Sequence, residues 1–346
     1  MLAGLALGAT AAAVLVIDSA ARNLALVSRL RDAAPGWLVF CAIGETLAYS
    51  GFVLCYQAMA RVSGGPLLPA ALVVRVVGLS FGAFSVATAI GGLSVDFWAL
   101  REAGENPRVA SSRVIALETL RWAVLSLATC VAGILVLGGV GHRVVWVVPV
   151  AWLVTTAACF AGGLWVSVPR RRAAFVRCDG RIGRLLAIVV GALVYIRELM
   201  AGAPDLRRRA VAGAALFWAG EVLCAWAALR AFGAELGPTP LLLGYTTGYL
   251  ATGLPLPVGG AGTVDAALTG GFVLAGAPLS SALLGALAFR LFSFWLPALG
   301  ALASVLTARR LPDRLRAIAR ARAGSPVTAD PTDPTDPPAS GLRPPG

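Results

Sequence analysis

Uninterrupted apolar runs of about 20 residues recur along this chain, each long enough to cross the hydrocarbon core of a bilayer as an α-helix. The runs are continuously apolar rather than alternating, which argues against a transmembrane β-barrel. Composition points the same way: 58% of the 346 residues are hydrophobic and 13% are charged, too few charges for a water-soluble surface. The expected fold class is therefore all-α: a polytopic integral membrane protein with about 7–9 transmembrane helices.

The formal net charge is +12, and every basic residue is arginine. The excess lies between the apolar runs and toward the C-terminus. Positive-inside bias explains this distribution better than nucleic-acid binding, because no soluble module remains to hold a nucleic acid. Anionic lipid headgroups suit the same charge. The six cysteines (Cys41, Cys55, Cys130, Cys159, Cys178 and Cys224) form no CxxC pair, and His142 is the one histidine. A disulfide framework, a zinc site and histidine-dependent catalysis are not expected, so no metal or cofactor is assigned. The N-terminal run has no basic segment before it and does not read as a signal peptide.

Apolar runs cover approximately residues 3–17, 37–60, 67–89, 113–138, 144–168, 210–232, 239–256 and 279–306. Residues 18–35, with Arg22, Arg29 and Arg31 among leucines, read as an amphipathic interfacial helix. The densest basic loop holds Arg170, Arg171, Arg172, Arg177, Arg181 and Arg184. After it, segment 185–203 contains Arg197 and Glu198 and either spans the membrane or lies in its interface. The expected organisation is a membrane domain over 1–306, a basic juxtamembrane segment over 307–323, and a disordered Pro-rich tail over 324–346.

The chain also resembles itself. Arg61, Gly64, Pro69 and Asp96 match Arg230, Gly233, Pro238 and Asp265, each pair 169 positions apart. With one gap on either side, Gly44-Glu45 matches Gly220-Glu221 and Ala103-Gly104 matches Ala275-Gly276. This implies two pseudo-repeats, near 37–138 and 213–306, whose relative orientation, parallel or inverted, depends on whether 185–203 crosses the membrane. In each, about halfway along, glycines interrupt the apolar sequence before an aspartate: Gly91-Gly92…Asp96 and Gly259-Gly260-Ala261-Gly262…Asp265. Such breaks free backbone polar groups that lipid cannot satisfy, so protein or a watery cavity must cover them. Matched breaks, re-entrant or unwound, point to a central binding site.

The segment Pro255-Leu256-Pro257-Val258-Gly259-Gly260-Ala261-Gly262-Thr263-Val264-Asp265, followed by Arg290 and Trp295-Leu296-Pro297, resembles the transmembrane region of lysylphosphatidylglycerol synthases. That region is the flippase-type domain of the multiple peptide resistance factor family. The resemblance covers roughly residues 5–306, and Gly91-Gly92 through Asp96 with Glu118 fits its other half more loosely. Asp265 stands where the family usually has glutamate, and Val258 where proline is common. The soluble aminoacyl-transferase domain of the synthases is not expected in the tail, so the resemblance implies lipid handling rather than lipid synthesis.

The substrate-binding candidates are Gly91, Gly92, Asp96, Glu118, Gly259, Gly260, Gly262, Asp265 and Arg290, with Glu45 and Glu221 as secondary ones. Either aspartate could bind a cationic group, carry a proton, or only cap the helix that follows it. An offset of 172 sets Glu118 opposite Arg290, so the two are expected to pair directly or through substrate, and Arg290 could grip a phosphate with its forked donors. Glu45 and Glu221 would otherwise be protonated interhelical hydrogen-bonders. Arg75 and Arg121 are expected to snorkel to an interface, and Trp122, Trp146, Trp152 and Trp165 to pack or sit at one. With no HExxH, GxSxG or nucleophile–base set, the chain is not expected to be an enzyme.

The sequence thus predicts a multi-pass protein of the bacterial inner membrane that binds or translocates a phosphate-bearing lipid, either a phospholipid or a polyprenyl-phosphate derivative. Its partners would be membrane lipids and no nucleic acid. The alternative is a non-transporting accessory subunit whose partner is an envelope-biosynthesis enzyme or glycosyltransferase.

Overall fold

A computed structural model describes residues 34–140, 144–168, 180–253, 260, 262–298, 301, 304 and 308–323. The apolar run at 3–17, nearly all of the amphipathic stretch at 18–35, His142, Cys178, Arg170, Arg171, Arg172, Arg177, Gly259 and the 324–346 tail lie outside the described residues. Every regular element among the described residues is helical. The long helices are α1 (Gly36–Arg61), α2 (Ala70–Glu102), α3 (Pro107–Leu137), α4 (Val147–Val166), α5 (Gly180–Ala201) and α6 (Pro204–Ala231). After them come α7 (Pro238–Tyr249), α8 (Thr263–Leu274), α9 (Leu279–Arg290), which continues through a π-turn at Leu291–Trp295, and α10 (Leu311–Ala323). The chain is an all-α membrane protein, with five described helices long and apolar enough to span: α1, α3, α4, α6 and α9 with its extension to Ala298.

Helix starts follow local chemistry. Asn106 caps α3 by accepting from the Arg108 amide at 3.1 Å, with Pro107 in the first turn, where its missing N–H costs nothing. Pro204 and Pro238 open α6 and α7 in the same way. The repeated glycines mark the ends. Gly64 and Gly233 have φ 71° and 74°, and Gly104 and Gly276 have φ 91° and 104°, left-handed values that a Cβ would strain. The repeat is therefore conserved in backbone conformation between the two halves, not merely in composition.

α1 and α6, the matched first helices, cross backbone to backbone. A Cβ at Gly44 would stand 2.6 Å from the Gly220 carbonyl, and one at Gly51 would stand 2.6 Å from the Gly213 carbonyl. Seven positions forward on α1 correspond to seven backward on α6, so the helices are antiparallel and the repeats are inverted. Close packing through small residues is the usual way membrane helices associate, since lipid supplies no hydrophobic drive between them.

The long α2 does not cross the membrane straight. Ser80 Oγ donates to the Gly92 carbonyl at 2.7 Å and to Asp96 Oδ1 at 2.9 Å. In a straight helix Ser80 and Asp96 would be about 24 Å apart. The chain must reverse between Phe84 and Ile90, making α2 a helical hairpin, and the Gly91 backbone lies against the Ala83 carbonyl. The glycines thus sit on the returning arm, where the expected break at 90–96 has moved upstream to the turn. α7 and α8 form the matching hairpin. Cβ atoms at Gly244 and Gly248 would stand 2.5 Å from the Gly271 carbonyl and 2.6 Å from the Ala267 carbonyl. Neither 12-residue arm is long enough to span, at about 18 Å each.

This architecture places the arginines on one face. α1 ends there with Arg61; α2 leaves and returns there with Arg101; α3 and α6 begin there with Arg108 and with Arg207, Arg208 and Arg209. α5 joins them: Ser112 donates to the Ile188 carbonyl, Arg113 stacks over Tyr195, and Ser63 donates to Glu198. α10 docks on the end of α2 through buried Leu311 and Leu315, with Arg316 on Glu102 at 2.7 Å and Arg322 on Glu105 at 2.6 Å. The basic juxtamembrane segment is thus an anchored helix. On the opposite face the described charges are Arg230 and Glu235, paired at 2.9 Å.

Candidate functional site

The described arms of the two hairpins border a cavity of about 240 Å³ deep between α1, α3, α6 and α9. Hairpin α2 contributes Ser80, Gly92 and Asp96; the second hairpin contributes Tyr249, Thr252 and Gly253. Ser80 and Tyr249 are themselves 169 positions apart, so inverted symmetry brings equivalent positions to the same space. The helices that follow the hairpins behave likewise. Glu118 and Arg290 both line the cavity, and so do Arg121 and Ser293, each pair 172 apart.

Glu118 and Arg290 face the same space, but each pairs within its own half. Glu118 takes Arg121 at 2.6 Å, one turn along α3, and Arg290 Nε donates to Asp265 Oδ1 at 3.0 Å. The reason is reach: a partner three residues away on one helix, or at the start of the preceding arm, is nearer than one across a cavity. Arg121 does not snorkel. It is 93% buried, its guanidinium lying 3.9 Å above the Phe217 ring and 4.5 Å from that of Phe52. An uncompensated arginine at membrane depth costs at least about 2.5 kcal/mol, so the carboxylate and the ring faces are what hold it there.

Asp265 does two jobs. Its Oδ2 accepts from the Gly262 amide at 2.9 Å, satisfying a free N–H at the start of α8, while Oδ1 holds Arg290. It stands behind Arg290 rather than on the cavity wall. Gly260 and Gly262, at φ 69° and 83°, shape the turn that puts Asp265 there. Asp96 is 97% buried and bonded to Ser80, on the wall itself. Gly92 lines the cavity, whereas Gly91 packs on the other arm.

Glu45 and Glu221 flank the α1–α6 crossing. Glu221 lines the cavity and accepts from the Tyr245 hydroxyl at 2.8 Å. Both Glu45 carboxylate oxygens, and the Tyr49 hydroxyl, are buried without a hydrogen-bond partner. Aromatic residues close the cavity: Trp122 and Trp218 lie 5.7 Å apart, and Trp218 Nε1 donates to the Arg121 carbonyl at 2.7 Å, tying α3 to α6. Trp152 instead donates to Thr247 at 3.0 Å, and Trp146 and Trp165 are exposed on the outside. Among the described residues no group of His, Cys, Asp and Glu could hold a metal ion.

Sequence reasoning left Ser80, Arg121, Trp218, Tyr249 and Ser293 out of the site. The repeat register held the signal for four of them, since Ser80 and Tyr249 keep one offset and Arg121 and Ser293 the other.

Two inverted halves meeting at a charged cavity suit a membrane domain that handles lipid. The family described as lysylphosphatidylglycerol synthase TM region matches residues 1–301. The chain belongs to this family. In this lysylphosphatidylglycerol synthase TM region, the match spans both repeats and all five long apolar helices described above. No curated protein matches the chain.

Proposed function

We propose that this protein binds a phosphate-bearing lipid, a phospholipid or polyprenyl-phosphate derivative, in the central cavity and moves its headgroup across the bilayer as a flippase. The observation that carries the reading is the pair of arginines, Arg121 and Arg290, buried at a cavity between inverted re-entrant hairpins. Arginine matches phosphate geometry with a planar fork of donors, and a buried one is retained in a membrane protein for a substrate or a pairing role. Asp265 orients Arg290 toward the cavity through Nε, as a positioning residue.

Three carboxylates, Asp96, Glu118 and Glu221, share the wall with those two arginines. A bare phosphate would meet an acid excess there. A headgroup that also carries hydroxyl or ammonium donors meets acceptors, so the favoured lipids present both kinds of group. Inverted repeats give the path: each hairpin approaches the cavity from its own face, and rocking of one half against the other would open those faces in turn.

The test is headgroup translocation in proteoliposomes. Arg290→Gln should reduce the rate about 100-fold or more, and Arg290→Lys, which keeps charge without the fork, by at least about tenfold. Wild-type rates from both variants, with the proteins shown folded by gel filtration, would overturn the reading. The protein would act without chemical conversion, so lipid recovered from either leaflet should be unmodified.

A further inference from the structure

A second cavity, of about 240 Å³, lies at the basic face between the end of α1, the connector to α2 and the start of α6. Its polar wall carries Arg61 and Arg209, and no carboxylate lines it. Gln57, also on the wall, donates to the Leu68 carbonyl beside it at 2.7 Å. Leu54 and Leu67 form its apolar wall and are 41% and 64% exposed, so it opens toward the lipid.

The repeat makes these arginines informative. Arg61 and Arg230 are equivalent positions in the two halves, yet only Arg230 has a carboxylate, Glu235, at 2.9 Å. The position equivalent to Glu235 is Pro66. The duplicated arginine is thus neutralised on one face, while on the other it stands beside a second arginine and a cavity. Two like charges lining one small space repel each other, and an anion between them removes the cost. Leu54 lies about 10 Å deeper than Arg61 along α1, which sets acyl-chain surface below the cations.

We propose that this cavity binds the phosphate of an anionic phospholipid from the leaflet on the basic face, between Arg61 and Arg209, with its chain along Leu54 and Leu67. The assignment uses nothing at the central cavity and is independent of the transport reading. The phosphate chemistry would also suit a free anion, and the experiment separates the two sources.

Purified full-length protein is titrated with phosphatidylglycerol in mixed micelles, with phosphatidylcholine and inorganic phosphate as parallel arms. Binding is read by native mass spectrometry and thermal stability. Phosphatidylglycerol should bind and stabilise the wild type, and phosphatidylcholine should do so at least about tenfold more weakly. Arg61→Gln with Arg209→Gln should reduce the preference for phosphatidylglycerol at least about tenfold, while Arg230→Gln, at the equivalent position of the other half, should keep it. Equal binding of the two lipids by the wild type, a comparison that needs no variant to fold, would overturn the proposal. So would stabilisation by inorganic phosphate equal to that by phosphatidylglycerol, which would assign the cavity to a free anion.

Discussion

Asp265 shows how one side chain can be both structure and site. It caps α8 through Gly262 and holds Arg290 through its other oxygen. Asp265→Asn keeps an acceptor for the cap but weakens the hold on Arg290. Transport should therefore fall about tenfold or more while the melting temperature in detergent changes little; a large stability loss with normal transport in the folded fraction would reverse that ranking. At Gly44 the opposite holds. Gly44→Ala sets a methyl 2.6 Å from the Gly220 carbonyl and should destabilise by about 1–3 kcal/mol, whereas Gly162→Ala, with nothing within 4 Å, should be neutral or slightly stabilising. Thermal melts of the two variants decide it. Single residues were partly legible in the sequence. Charges within apolar runs identified Asp96, Glu118 and Arg290 as worth watching, because burial of charge is costly enough to be retained only for a reason. Their partners were not legible: whether Arg290 meets Glu118 or Asp265 depends on distances of a few ångströms that spacing along a chain does not fix.

The hairpins are the elements that set the site. A run such as 67–89 has the length and hydropathy of a membrane span, and hydropathy cannot tell one that crosses from one that turns back. The glycines signalled an interruption, and the bonds from Ser80 to Gly92 and Asp96 locate the reversal upstream of them. This reversal has a direct test. In a cysteine-free background, cysteines at Leu67 and Arg108, before and after the first hairpin, should both react with a membrane-impermeant thiol reagent from the same side. Labelling from opposite sides would mean that α2 crosses. With α2 as a hairpin, Arg207–Arg209 and the C-terminal arginines of α10 fall on one face.

At the scale of the whole molecule, the antiparallel crossing of α1 and α6 turns a sequence repeat into an inverted one. Positive-inside bias then predicts that the face carrying Arg61, Arg207–Arg209 and α10 is the cytoplasmic one. A reporter inserted after Gly65 should be cytoplasmic and one inserted after Glu235 external; the reverse pattern, or both on one side, would contradict the inverted arrangement. The duplication itself was readable from matched glycines, arginines and acids, but its handedness was not, because handedness resides in which helices cross and not in their order. One more feature ties the molecule's edge to its centre. The returning arm of α2 holds Asp96 at the cavity and Glu102 at the basic face, where Arg316 of α10 is clamped to it. That arm is a lever about 9 Å long with the cavity at one end and a surface handle at the other. A displacement of the C-terminal helix would act on the same arm that carries Asp96, which gives the cavity a contact at the membrane surface.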